Sequence, residues 1–153
     1  WILLCTHFGV VITGRRFVRW RIISNDAEPA PITTPACSTN VATSTKARDD
    51  SFTVAESRKI VVNGSNGRIK VSAGTDGTVR VQATLRRPDD LKYEVTQDGN
   101  PINVEVEEKG GKFSSLGQSS CDDIEITTPS NTRVGLSASN GTIELYGMHR
   151  SGM

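Results

Sequence analysis

The segments "SNGRIKVSAG" at residues 65–74 and "SNGTIELYG" at residues 139–147 repeat the order Ser-Asn-Gly-x-Ile-charged-aliphatic. A related segment, "TDGTVRV", occupies residues 75–81. In all three, a dipeptide that accepts positive φ and marks a tight turn precedes an alternation of aliphatic and charged residues. The repeat therefore predicts a recurring unit of one turn and one β-strand, and it indicates repeated geometry rather than repeated chemistry.

The same alternation with a period of two continues through most of residues 51–147. Short runs with this period are typical of strands that are buried on one face. Strand starts fall about ten residues apart, which is the spacing of an all-β sandwich, barrel or solenoid. The dipeptides Asn63-Gly64 and Asp98-Gly99 predict further turns between strands. The predicted inward-facing side chains are those of Phe52, Val54, Ile60, Val62, Ile69, Val71, Ala73, Val79, Val81, Ala83, Leu85, Tyr93, Val95, Ile102, Val104, Val106, Ile124, Ile126, Val134, Leu136, Ala138, Ile143 and Leu145.

The chain of 153 residues is long enough for one domain with extensions. Its formal net charge of +1 conceals an asymmetry, because residues 1–23 hold four arginines and no acid. The rest of the chain therefore carries a small excess of acidic side chains. Nucleic-acid binding by that part is not expected, since neutralising phosphates requires a clustered basic face.

Three sequence regions differ in composition. Residues 1–23 combine the short apolar run "WILLCTHFGVVI" with the basic run "RRFVRWR", which suggests a signal remnant, the end of a membrane anchor, or translated sequence upstream of the true start. Any membrane contact would be made by this segment. Residues 24–50 are rich in Pro, Thr and Ser and predict a disordered linker. Residues 51–153 form the predicted β domain.

The sequence predicts no metal site and no cofactor. The cysteines Cys5, Cys37 and Cys121 lie far apart, and His7 and His149 are the only histidines, so neither a zinc motif nor a disulfide scaffold is indicated. Cys121 is followed by two aspartates, which would raise the pKa of a thiol. We therefore expect it to be an inert thiol rather than a nucleophile.

No catalytic residue is predicted either. The two acidic doublets of the β region, Asp89-Asp90 and Asp122-Asp123, adjoin turn sequences and are interpreted as solvated turns. The alternative is a fragment of a polysaccharide-active β-helix enzyme, which would use clustered carboxylates as general acid and general base on sugars. The expectation is that the chain is not an enzyme.

The quoted repeats resemble the bacterial putative-adhesin β-repeat family. The resemblance covers about residues 51–147, through an opening "FTV", the strands "GRIKV" and "DGTVRV", the segment "IEITTP" and the later "NGTIEL". It implies a β-roll leading into a single-stranded β-solenoid, and a binding or structural role at the cell envelope or elsewhere outside the cytoplasm. It implies no catalytic residues. A cytoplasmic location is the alternative.

The expected partner is a protein or carbohydrate at the cell surface. A polymerising envelope or cytoskeletal scaffold is the alternative function. The repeats halt after Asn140-Gly141, which suggests a solenoid truncated at its C-terminal end. The strand around Ile143 and Leu145 would then present an unpaired edge and promote self-association.

Overall fold

A computed structural model of the protein describes residues 2–5, 10–23, 44–54, 59–74, 77–99, 101–109 and 121–148. Nearly all of these residues belong to strands, and a single 3-10 turn at Pro88–Asp90 is the helical exception within the described ranges. The strands are β1 (Ile2–Cys5), β2 (Val10–Ile23), β3 (Thr45–Thr53), β4 (Lys59–Gly74), β5 (Thr78–Arg86), β6 (Leu91–Gln97), β7 (Pro101–Glu108), β8 (Cys121–Pro129) and β9 (Arg133–Tyr146). The predicted all-β class is therefore confirmed.

The nine strands form one sheet, which curls into a nearly closed, barrel-like arrangement. Its main order is β1-β2-β9-β4-β8-β5-β3, and β7 joins it through β4 with β6 at its outer edge. The long strand β4 is central. One of its edges pairs in parallel with β9, while the other pairs first with β7, over residues 59–63, and then with β8, over residues 67–74.

The core consists of the aliphatic side chains that alternate along these strands. Most of the predicted inward set is fully buried, including Ile60, Ile69 and Ile124, each at most 1% exposed. The prediction of burial from this alternation was wrong for Ala73, which is exposed. It also missed Leu91, which is 3% exposed and follows the short 3-10 turn directly.

Several Asn-Gly pairs do not connect strands as predicted. Asn63-Gly64 and Asn66-Gly67 lie inside β4, and Asn140-Gly141 lies inside β9. Both strands continue through these points because their backbone pairs with neighbouring strands on either side of them. Asp98-Gly99 behaves as predicted and joins the antiparallel strands β6 and β7. We refer to residues 64–67 of β4 and 138–141 of β9 as the Asn-Gly segments.

The two Asn-Gly segments stack with very close backbone contact. A Cβ atom on Gly141 would lie 1.8 Å from the carbonyl oxygen of Gly67. A Cβ atom on Gly67 would in turn lie 1.8 Å from the carbonyl oxygen of Asp122 in β8. Gly141 also has a φ of +133°, a conformation that side-chain-bearing residues rarely adopt. Glycine at both positions therefore allows β8, β4 and β9 to stack in register.

The outer edge of β9 is not unpaired, which corrects the prediction for the strand around Ile143 and Leu145. β2 pairs with β9 in parallel from Val10 opposite Val134 to Ile23 opposite Tyr146. The N-terminal segment thus supplies two strands, β1 and β2. The interpretations of this segment as a signal remnant, a membrane anchor or translated sequence upstream of the true start remain predictions. The described part of the chain contains no helix with the length and hydropathy of a membrane span.

The predicted linker also ends earlier than expected, because β3 begins at Thr45 and pairs with β5. Residues 24–43 lie outside the described ranges. All but two residues of β3 are exposed, which explains why its sequence lacks the apolar alternation that marks the inner strands.

We expect Gly141→Ala to destabilise the protein by about 3 kcal/mol or more, because the added methyl group would collide with a backbone carbonyl that cannot move without breaking the sheet. Gly135→Ala in the same strand is the matched control, since the nearest atom to its added Cβ would be 3.9 Å away. Urea denaturation of both variants measures the difference. Equal stabilities would contradict the close stacking of the Asn-Gly segments.

Candidate functional site

A buried carboxylate lies beside the Asn-Gly segment of β4. Asp122, at the second position of β8, is 1% exposed, and its side chain accepts hydrogen bonds from the backbone N–H groups of Asn66 at 2.7 Å and Ser65 at 3.2 Å. The interpretation of Asp122 as a solvated turn residue was therefore wrong. Its carboxylate accepts hydrogen bonds from two backbone N–H groups that the regular strand pairing does not satisfy at this point.

Burial raises the pKa of the Asp122 carboxyl to about 6. The hydrogen bonds from Asn66 and Ser65 oppose this effect by stabilising the charged form, and the neighbouring Asp123 adds to it. A shifted carboxyl is often a sign of catalysis. Here, however, both carboxylate oxygens accept backbone hydrogen bonds, so the hydrogen-bonding capacity of the group is used within the fold.

A short row of side-chain amides runs across the Asn-Gly segments. Asn140 Nδ2 donates to Asn66 Oδ1 at 2.9 Å, and Asn66 Nδ2 donates to Glu108 Oε1 at 2.8 Å. Asn140 of β9 therefore donates to β4, Asn66 of β4 donates to β7, and the oxygen of Asn66 accepts from Asn140. We call Glu108, Asn66 and Asn140 the amide row. The repeated Ser-Asn-Gly order could have revealed it, because identical residues in paired parallel strands lie side by side.

A charged face follows the amide row across β8, β4 and β9. Arg68 lies 3.9 Å from Asp123 and 3.7 Å from Glu125, and Lys70 lies 3.6 Å from Glu125. Lys70 also stands over the ring of Tyr146, 5.7 Å from its centroid, and is in register with Glu144. The charged face is defined by Arg68, Lys70, Asp123, Glu125, Glu144 and Tyr146.

Basic side chains of β4 thus meet acidic side chains of β8 and β9 across the sheet. One carboxylate oxygen of the face, Asp123 Oδ1, is buried and has no hydrogen-bond partner among the described residues. Its nearest cation is the Arg68 guanidinium, at a distance beyond that of a hydrogen bond. The ion pairs within the charged face therefore leave at least one of its carboxylate oxygens without a close partner.

Other charged pairs lie away from this face. Arg80 of β5 forms a two-point ion pair with Asp49 of β3, which raises the pKa of Arg80 and lowers that of Asp49. Tyr93 donates to Asp50 at 2.8 Å. Burial, together with the Asp50 contact, raises the pKa of the Tyr93 hydroxyl.

The second acidic doublet is exposed, as predicted. Asp89 and Asp90 lie in the 3-10 turn, and Asp90 pairs with Arg87 at 2.6 Å. No group of three or more potential metal ligands occurs among the residues that the structure describes. His7 and His149 lie outside those residues.

Cys121 is disulfide-bonded, so the expectation of an inert thiol was wrong. Sequence spacing did not predict this bond, because spacing reveals only local motifs while the fold can bring distant residues together.

No family model and no curated protein matches the chain. Among solved structures, the chain is similar to a putative cell adhesion protein of Clostridium sporogenes, with 15% identity and a TM-score of 0.46 over 65% of this chain and 51% of that one. It is also similar to a putative adhesin of Bacteroides fragilis, with 23% identity and a TM-score of 0.38 over 65% of this chain and 42% of that one. The chain thus spans about half the length of these proteins or less. Similarity at this level does not define a shared function.

The buried carboxyl makes stability depend on pH in a specific direction. Because the folded pKa of Asp122 is raised from 3.8 to about 6, its protonated form favours the folded state, and this contribution is lost as pH rises through 6. Relative to Asp122→Asn, the wild type should gain about 3 kcal/mol in unfolding free energy between pH 7 and pH 3.5. Urea titrations of both proteins across this range measure it, and parallel pH curves would contradict a buried, titrating Asp122.

Lys70→Glu should place a third carboxylate between Glu125 and Glu144 and reduce stability by about 1 kcal/mol, an amount typical of a like-charge pair on a sheet. The charge swap Lys70→Glu with Glu125→Lys should recover most of the loss. Denaturation at low and high salt checks both variants, and salt should shrink the difference. A loss of several kcal/mol that salt does not alter would show that Lys70 has a packing role.

Proposed function

We propose that the chain is a non-enzymatic, adhesin-like module that binds a protein or carbohydrate ligand through its charged face. The observation that carries the proposal is the composition of this face. It presents two cations flanked by carboxylates on neighbouring strands, with the side chains of Arg68, Lys70 and Glu125 each a quarter to nearly half exposed. Such a surface offers donors and acceptors to hydroxyl groups or to peptide side chains without needing a cleft.

The use of Asp122 supports a non-enzymatic role. General acid-base work on sugars requires a carboxyl that can reach the substrate, usually paired with a second one. Asp122 is buried and hydrogen-bonded to its own backbone, and the partly exposed Asp123 pairs with Arg68. The exposed doublet at Asp89-Asp90 belongs to a different turn.

The finer architecture that we propose is a β-solenoid, in which β4, β9 and β2 are successive parallel rungs. The in-register pairing of β4 with β9 and of β9 with β2, along nearly their whole lengths, supports this arrangement. We also propose a location at the cell surface or elsewhere outside the cytoplasm. The disulfide at Cys121 supports it, since disulfides persist mainly in oxidising compartments.

The test is binding of the full chain to arrays of immobilised glycans and extracellular proteins. Arg68→Ala with Lys70→Ala should weaken any specific binding by a factor on the order of ten, because these residues supply the cations of the face. Lys46→Ala with Lys59→Ala is the matched control, since it removes the same charge from exposed positions elsewhere. Binding should also weaken as salt rises.

Two outcomes would contradict the proposal. Equal loss of binding in the control pair would show that net charge matters rather than this face. Cleavage of a polysaccharide by the purified chain, abolished by Asp123→Asn with the fold retained, would show that the chain is an enzyme.

A further inference from the structure

The amide row has a direction and an open end. Asn66 accepts from Asn140 and donates to Glu108, so each amide donates to the strand on its side away from β2. At the end of the row, Asn140 Oδ1 accepts no hydrogen bond from any described residue. A further parallel strand with asparagine opposite Asn140 would continue the row by donating its Nδ2 to this oxygen.

The stacked glycines set a second requirement at the same edge. Gly67 lies against the carbonyl of Asp122, and Gly141 lies against the carbonyl of Gly67, each with no room for a Cβ atom. A strand that stacks on β9 with the same geometry meets the carbonyl of Gly141. It therefore needs glycine opposite Gly141, directly after the asparagine.

Charge sets a third requirement. Glu144 of β9 is in register with Lys70 on its inner neighbour β4. A basic residue at the matching position of the added strand would repeat this favourable cross-strand pairing, whereas an acidic one would oppose it. The order Ser-Asn-Gly-x-Ile-Lys of β4 meets all three requirements, and the order Ser-Asn-Gly-x-Ile-Glu of β9 fails the third.

β2, which occupies this edge in the structure, meets only the charge requirement. Its register places Arg21 opposite Glu144, but Phe17 opposite Asn140 and Val18 opposite Gly141. Phenylalanine has no amide to donate, and valine has the Cβ atom that regular stacking excludes. The pairing accordingly shifts register between Gly14 and Phe17, where β2 has one residue more than β9.

We propose that the outer edge of β9 is a strand-acceptor site for a parallel strand of another polypeptide, with Asn-Gly opposite Asn140-Gly141 and a basic residue opposite Glu144. β2 is the occupant that such a strand displaces. The interaction is β-augmentation, in which main-chain hydrogen bonds give affinity and the side chains at fixed positions give selectivity. It does not depend on the ligand of the charged face.

The probe is a synthetic peptide with the sequence of residues 59–74, "KIVVNGSNGRIKVSAG". Its binding is measured by fluorescence anisotropy to the full chain carrying Val11→Pro and Ile12→Pro. Successive residues of a strand direct their N–H groups to opposite sides, so one of these prolines removes a donor toward β9 and weakens the competing β2. Circular dichroism checks that the sheet is retained.

We expect this peptide to bind on the order of tenfold more tightly than versions with Asn66→Ala, Gly67→Ala or Lys70→Glu. It should also bind the doubly substituted chain more tightly than the chain with intact β2. In a chain that also carries Asn140→Ala, the preference for the native peptide over its Asn66→Ala version should disappear, because the acceptor has been removed.

Because the peptide substitutions leave the protein unchanged, a folding defect cannot imitate this selectivity. Equal binding of all four peptides would overturn the proposal, since the edge of β9 would then pair with a strand regardless of its sequence. The proposal would also be overturned if the native peptide did not bind the chain carrying Val11→Pro and Ile12→Pro. That result would show that the edge of β9 pairs only with its own β2.

Discussion

The contact between the backbones of Gly67 and Gly141 is the constraint on which the sheet depends. It fixes the register of β9 on β4, and that register places Ile143 beside Ile69 and Leu145 beside Val71 in one continuous core. A shift by one residue would turn these side chains to the opposite face. The absence of two Cβ atoms thus determines which apolar residues meet, and the same close contact brings Asp122 to the Asn-Gly segment of β4.

Burying Asp122 is the main polar consequence of this stacking. Bringing an ionised carboxyl out of water is unfavourable, and the hydrogen bonds from Ser65 and Asn66 offset only part of that cost, which is why its pKa remains raised. The same bonds satisfy backbone donors that the sheet leaves unpaired where β4 changes its partner from β7 to β8. A residue type associated with catalysis is used here to stabilise an irregularity of the backbone.

The outward side of the same three strands has a different character. Arg68 and Lys70 pair with carboxylates of β8, and Lys70 is also in register with Glu144 of β9. These ion pairs are long and partly exposed, so they contribute little to stability. Their side chains remain available to a ligand. The inner face therefore specifies the fold, while the outer face carries the binding role that we propose.

The sequence by itself determined the strands and most of the core, because alternation is a local property. In a strand, successive side chains point to opposite faces. The residues on either side of Ile60, Ile69 and Ile124 were therefore enough to predict that these side chains are buried. Only the tertiary structure decided what the Asn-Gly pairs do, because the same dipeptide serves a turn or a close strand contact, and the choice depends on which strand lies beside it. The burial of Asp122, the disulfide of Cys121 and the pairing of β2 with β9 were likewise beyond the sequence. Each joins residues that are distant along the chain, and neither spacing nor periodicity records which distant segments meet.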